Sequence, residues 1–296
     1  MSSKEIRRWG DEQQYAAAPI DTSSGPQVHL LWGTPDPLGA VAAMCRMYEG
    51  IPTYSLGDIS DDERRHYWEQ ANATHLKAPL EAIKVHWFIE GVDRAFTHQM
   101  VRQRTAVFAQ ESMRFAVKEN LADETPRPPA VANDDNASEV WDAALSEVEA
   151  AYTRLVNAGI PAEEARGLLP HAATTRLHYV TDWRALSEHA GNRLCTQAQF
   201  HWRIVFMRMA QELAGHDGWP DWQGKLLAGQ FRPVCWELGR CPFNAVFDRA
   251  CSIKERVTAF SERGVDSKHW EDGAAGVSPI RPEEWLADPS AARVVK

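Results

Sequence analysis

Apolar positions change period several times along the chain, and each change marks an element. In AIKVHWFIE, residues 82–90, Ile83, Val85, Trp87 and Ile89 alternate with Lys84, His86, Phe88 and Glu90. Period two places the first set on one face of a β-strand. VHLLWG, residues 28–33, reads as a shorter strand, and TPDP turns it into an apolar-periodic helix, LGAVAAMCRMYEG, closing at Gly50. Ser60 and Glu63 stand at capping-box spacing before the helix DDERRHYWEQANA. After Gly91 the period becomes helical through Val92, Phe96 and Met100. An extended segment follows, in which Gln110, Ser112 and Arg114 share one face.

The stretch 119–138 is rich in proline and acidic residues and reads as a surface excursion or lid. Trp141, Leu145, Val148, Tyr152 and Leu155 then recur at heptad-like spacing in a helix ending at Gly159. PAEEARGLLP is a short helix bracketed by Pro161 and Pro170. DWRALSEHAGNR and CTQAQFHWRIVFMRMAQELAG are helical, the second stopping near Gly215. Beyond 216 the periodicity lapses, and Trp219, Trp222, Trp236, Trp270 and Trp285 sit among Gly, Pro and charge. The expected organisation is a polar arm over 1–26, a main domain over 27–215, and a Trp-rich extension over 216–296 packed on it.

Composition adds limits. With 296 residues, 44% hydrophobic and 25% charged, the chain is long enough for a substantial core. A formal charge of -9 argues against a non-specific nucleic-acid binder, which needs a basic face. The opening MSSKEIRRWGDEQQY has no apolar signal core, and no eighteen apolar residues run together, so the expectation is a cytoplasmic protein without a membrane segment. Five cysteines without a C-x-x-C pair suggest reduced structural thiols, Cys195 included, and no zinc site. His171, His178, His189 and His201 lack metal-ligand spacing. Met207 and Met209 read as core or subunit-contact residues.

Within this acidic chain, RQRTAVFAQESMRF (residues 102–115) concentrates Arg102, Arg104 and Arg114 around Ser112, and Arg166, Arg184 and Arg193 follow near later short helices. Guanidinium forks match phosphate oxygens, and a hydroxyl completes a phosphate cradle. The same arginines are equally readable as surface cations paired with abundant Asp and Glu.

The motif resembles the signature of the flavin-dependent thymidylate synthases, Arg-His-Arg, seven residues, then Ser. Here it stands as Arg102-Gln103-Arg104, TAVFAQE, Ser112, with Arg114 two residues on. EEARGLLP resembles the family's Glu-x-x-Arg-x-x-Leu-Pro block, and DWRALSEHAGNRLCTQAQ its following helix. LLWGTPDPLGAVAAMCRMY and HLKAPLEAIKVHW are also similar to family segments, so the likeness runs over about 27–214.

That resemblance implies an α+β fold, a mainly antiparallel sheet flanked by helices, and a homotetramer with active sites between subunits. It implies FAD, methylenetetrahydrofolate as one-carbon donor, NADPH as reductant, and a deoxypyrimidine monophosphate, dUMP by default, as acceptor. Gln99, Arg102, Gln110, Glu111 through its backbone, Ser112, Arg114 and Arg166 would hold dUMP. Arg193 would contact the pyrimidine carbonyl edge and stabilise the ring as N3 loses a proton. His75, Arg102, Gln103, Arg104, Gln110, Asp182, Arg184 and Glu188 would lie along FAD.

The chain departs from the family pattern at four places. Gln103 replaces the motif histidine, Asp182 an asparagine, Glu188 an asparagine or histidine, and Gln197 another histidine. Two added acids beside an anionic cofactor require compensating cations. These changes leave open a hydroxymethyl product, dCMP as substrate, a non-catalytic nucleotide- or flavin-binding relic, or a purely structural interaction protein.

Overall fold

The computed structural model describes residues 15–16, 20, 25–195, 198–238 and 241–242. Most of the N-terminal arm, Gln197, and residues 239–240 and 243–296 of the C-terminal extension, Trp270 and Trp285 among them, lie outside the described residues. The strands are β1 (Tyr15–Ala16), β2 (Gln27–Gly33), β3 (Lys84–Asp93), β4 (Ala106–Gln110), β5 (Ala116–Val117) and β6 (Thr174–Asp182). The principal sheet has the order β2-β3-β6-β4 with every neighbour antiparallel, while β1 pairs parallel with β5.

β3 follows its alternation: Val85, Trp87 and Ile89 are fully buried beneath the helices. Burying each such side chain contributes roughly 1.5–3 kcal/mol. Gly91 adopts φ +72° where the register shifts between Glu90 and Val92. The bulge returns Val92 to the buried face, so the strand runs on to Asp93. The helical period read from Val92 holds for Phe96 and Met100, buried on the helix that starts at Arg94, whereas Val92 belongs to the strand beyond the bulge.

β6 is the strand that the hydrophobic pattern did not announce. Thr175, Leu177, Tyr179 and Thr181 all point inward, and it pairs with both β3 and β4. β4 ends at Gln110, short of the extended segment expected to reach Arg114. Ser112 instead opens a turn, its carbonyl accepting from the Phe115 and Ala116 amides, so Gln110, Ser112 and Arg114 do not share a strand face.

The helices are α1 (Pro37–Tyr48), α2 (Asp61–Ala73), α3 (Arg94–Met100), α4 (Leu121–Glu124), α5 (Pro129–Ala132), α6 (Asp135–Asn157), α7 (Ala162–Ala165), α8 (Trp183–Arg193), α9 (Phe200–Ala214), α10 (Asp221–Ala228) and α11 (Val234–Leu238). α2 carries the full capping box between Ser60 and Glu63. The stretch read as a lid folds into α4, α5 and the start of α6, anchored by buried Leu121 against Met113 and Ala173.

One core unites Leu38 and Val41 of α1, Trp68 of α2, Trp183 and Leu186 of α8, and Trp202 and Phe206 of α9 with the inner face of the sheet. Trp219, Leu227 and Phe231, beyond residue 216, belong to the same core, and the Trp219 indole donates to the Thr34 carbonyl at 2.9 Å. A Cβ on Gly224 would lie 2.2 Å from the Leu213 carbonyl oxygen, so only glycine lets α10 approach α9 this closely. Among the described residues no helix is long and apolar enough to cross a membrane.

Candidate active site

Three elements meet at Arg193. α3 is capped by Asp93, whose carboxylate accepts from the Phe96 amide, and it carries Gln99 on its last turn. α8 ends with Arg193, a position where a cation complements the helix dipole. α9 supplies Trp202. Arg193 donates from Nη1 to Gln99 Oε1 at 3.2 Å, and Trp202 Nε1 donates to the same oxygen at 3.1 Å. The guanidinium carbon lies 4.9 Å from the Trp202 ring centroid, a cation–π arrangement that fixes its plane. Burial lowers the Arg193 pKa from the ordinary arginine value.

His189, one turn earlier on α8, accepts from Arg193 Nε at 3.4 Å. Burial, and then the Arg193 charge, push its pKa down to about 4 from a starting 6.5. The ring is therefore neutral at neutral pH. The unfolded chain takes up this proton below about 6.5 while the folded chain refuses it until about 4, so stability is complete above 6.5 and falls as pH drops through that window. His189 alone is expected to make stability decline by about 3 kcal/mol between pH 7 and 4. Urea titrations across that range measure the slope, and His189→Gln is expected to flatten it.

The turn after α3 carries the Arg-Gln-Arg triplet. Arg102 and Arg104 are exposed, and neither makes an ion pair among the described residues. Gln103 between them is half-buried. Its Oε1 accepts from the buried Tyr179 hydroxyl, while its Nε2 is buried without a partner. Because Tyr179 fixes the oxygen, the outstanding group is a hydrogen-bond donor. Gln110 lies on β4 and donates to Thr97 Oγ1 at 3.0 Å and Thr175 Oγ1 at 3.4 Å, tying the sheet to α3.

A second group forms around α7. Arg114 grips Glu163 with both arms of its fork, at 2.8 and 3.0 Å, and Arg166 Nε donates to the Glu163 carbonyl at 3.0 Å. Arg94, which sequence reasoning missed, stands near enough that burial and then the Arg166 charge lower its pKa. Ser112 is exposed beside Arg114 and accepts from the Arg114 amide at 3.3 Å. The Glu111 amide is spent on the Arg176 carbonyl at 3.0 Å, leaving only the Glu111 carbonyl for a backbone contact. Its side chain enters a buried network, 3.2 Å from Lys118 and 3.5 Å from Arg176.

The predicted residues thus fall into two groups within one chain, Gln99 with Arg193 and Arg114 with Arg166, with the 102–104 turn between α3 and β4. Asp182 and Arg184 start α8 on the far side of β6. Asp182 caps that helix through the Ala185 amide at 2.9 Å and lies 3.6 Å from Lys84. Glu188 is held by Arg184 at 3.1 Å, and Arg184 also pairs with Glu81 at 2.8 Å. Asp182 thus has a cation nearby in Lys84, whereas Glu188 shares Arg184 with Glu81. His75 is exposed.

His86 and His178 meet at 3.0 Å on the outer sheet face, yet no group of three or more His, Cys, Asp or Glu able to hold a metal occurs among the described residues. Met207 and Met209 are buried in the core. A hollow of about 600 Å³ lies against α6, lined by Val131, Val140, Trp141, Leu145 and Pro170 among others. It is apolar and contains no arginine, so it is not the anion site.

A helix-flanked antiparallel sheet bearing a donor-rich, carboxylate-poor turn defines an enzyme scaffold suited to anionic ligands. Residues 29–217 match the family described as thymidylate synthase complementing protein. The flavin-dependent thymidylate synthase of Pyrococcus furiosus is 29% identical over 234 residues, covering 78% of this chain and 95% of that one. That of Geobacter sulfurreducens is 32% identical over 193 residues, covering 64% and 82%. Two solved structures establish the same fold. One is the Helicobacter pylori flavin-dependent thymidylate synthase complexed with FAD and dUMP, with TM-score 0.52 and 17% identity over 70% of this chain and 99% of that one. The other is a UMP/dUMP methylase of Streptomyces cacaoi bound with 5-Br dUMP, with TM-score 0.51 and 20% identity over 64% and 90%. The chain belongs to the flavin-dependent thymidylate synthase family of enzymes.

Proposed function

We propose that this enzyme transfers a one-carbon unit from methylenetetrahydrofolate to C5 of a deoxypyrimidine monophosphate, dUMP to dTMP by default, using FAD and NADPH in a homotetramer. The observation that carries the reading is Arg193, laid on Trp202 and tethered by Gln99 so that Nη2 is left for a ligand. A fixed cation against the carbonyl edge of a pyrimidine lowers the energy of the ring anion formed as N3 loses its proton. Around α7, Arg114, Arg166 and Ser112 offer a nucleotide phosphate the donors it needs, with Glu163 holding the two arginines in place until it arrives.

The residues present fit FAD. Arg102, the Gln103 amide and Arg104 form a donor-only row, and the buried Nε2 of Gln103 calls for an acceptor. Bound FAD, once reduced by NADPH, would supply the hydride that completes the methyl group. Lys84 offsets Asp182, which favours an anionic cofactor there, and Glu188 is offset in part by Arg184, which it shares with Glu81. Exposed Leu31, Trp32, Val101 and Val107 support assembly with further copies of the chain.

The test is a single set of measurements on purified protein. Flavin absorbance, NADPH-driven bleaching, and the mass of the nucleotide formed from dUMP or dCMP with methylenetetrahydrofolate are recorded together. The expected product is dTMP, 14 mass units (about one CH2) above dUMP. A hydroxymethyl product or turnover of dCMP alone would replace the default substrate or outcome. Flavin bleaching and nucleotide product both absent from FAD-loaded protein would make the chain a binding relic.

A further inference from the structure

Arg193 does not end at Gln99. Gln99 Nε2 donates to Gln199 Oε1 at 2.8 Å, and Gln199 Nε2 donates to the Asp93 carboxylate at 2.8 and 3.1 Å. His201, buried beside them, places Nδ1 3.1 Å from Asp93 and 3.0 Å from Gln199 Nε2. A carboxamide can point either way, but the ends of this chain cannot. Arginine and the Trp202 indole only donate, and an ionised carboxylate only accepts. Burial alone would raise the Asp93 pKa, but bonds from His201, the Phe96 amide and Gln199 outweigh it and hold the carboxyl below its ordinary value. With both ends fixed, each amide has one permitted orientation, and both oxygens face Arg193.

We infer that Asp93 and Gln199 are positioning residues for the pyrimidine-facing guanidinium: the carboxylate sets the polarity of two linked amides so that Gln99 presents an acceptor to Arg193. Without that terminal anion Gln199 is free to turn over. Gln99 must then follow or lose its bond, and its amino group would face two donors. Arg193 would keep its charge and its seat on Trp202 but lose the tether that fixes its reach. Neither residue touches the ligand in this scheme, so the effect passes through Gln99 to Arg193. The inference rests on the proposed role of Arg193 in binding dUMP.

A double-mutant cycle tests it, with dUMP affinity measured by calorimetry on FAD-loaded protein. Arg193→Ala is expected to weaken dUMP by about 30-fold or more, and Gln199→Met by about 10-fold. The double variant is expected to bind within about twofold of Arg193→Ala alone, because the tether has nothing left to orient. A purely structural role would make the two losses multiply, which overturns the inference, as does a Gln199→Met affinity within about twofold of the parent. Unchanged dUMP affinity in Arg193→Ala would instead remove the reading beneath it. Should Gln199→Met fail to load FAD, Asp93→Asn replaces it: asparagine still caps α3 but presents an amino group where the chain needs an acceptor, and the same outcomes decide.

Discussion

Arg193→Ala is expected to lower kcat for dUMP by about 10²–10³-fold, the range seen when one preorganised donor to a developing anion is removed. Three features of its surroundings argue for an effect this large. The side chain is held by Gln99 and laid over Trp202, so little reorganisation is needed when charge develops on the ligand. Partial burial lowers the local dielectric and strengthens the interaction with an anion. Neutral His189 beneath it accepts from Nε and adds no competing cation. Arg193→Lys keeps the charge but not the planar fork, and an intermediate loss of about 10-fold is expected. Steady-state kcat and KM, taken beside thermal melting of FAD-loaded protein, separate this from misfolding. A kcat within about threefold of the parent would remove Arg193 from the chemistry.

Local signals in the sequence located the elements that depend on their own residues. The alternation of Ile83 to Glu90 gave β3, and Ser60 with Glu63 gave the start of α2, because strand faces and caps are set within a few positions. β6 escaped because Thr175 and Thr181 carry its inward face. Threonine is polar on any hydropathy count yet buries well as a β-branched strand residue, particularly when Gln110 reaches the Thr175 hydroxyl. The bulge at Gly91 hides the end of β3 for a related reason: one extra residue resets the alternation, so Val92 falls into the helical spacing of Phe96 and Met100 although it lies on the strand.

Site residues were legible as types but not as partners. The arginines could be named from spacing and resemblance, whereas Gln99 and Gln199 lie 100 positions apart and meet only because α3 and α9 pack against one another. Nothing local distinguishes Gln199 from any other helix-start glutamine. Asp182 and Glu188 illustrate the reverse case. Arg184 stands one helical turn from Glu188 in the sequence itself, but only the fold reveals Lys84 across the sheet from Asp182.

The largest stability effect expected of a single substitution is at Lys118. Lys118 is buried, with Nζ 3.2 Å from Glu111 and 3.2 Å from Glu124. Glu124 also accepts from the Ile20 amide, and its carbonyl accepts from Thr174 at 2.6 Å, so this ion triad joins the N-terminal arm, α4 and β6. Lys118→Met would leave the buried Glu124 carboxylate without a cation, while Glu111 would keep only Arg176, 3.5 Å away. A loss of about 3–5 kcal/mol is expected, since removing one member of a buried charge set costs far more than the intact set contributes. Adding Glu124→Gln removes the stranded charge while keeping the acceptor for Ile20, and is expected to restore about 1–3 kcal/mol. Urea unfolding at fixed protein concentration reads both values, the fixed concentration keeping any assembly term constant. Recovery in the double variant would show that stranded charge, rather than lost packing around the lysine stem, carries the penalty. Because Glu111 directly precedes Ser112, dUMP affinity in Lys118→Met is expected to fall as well, and to recover in step with stability.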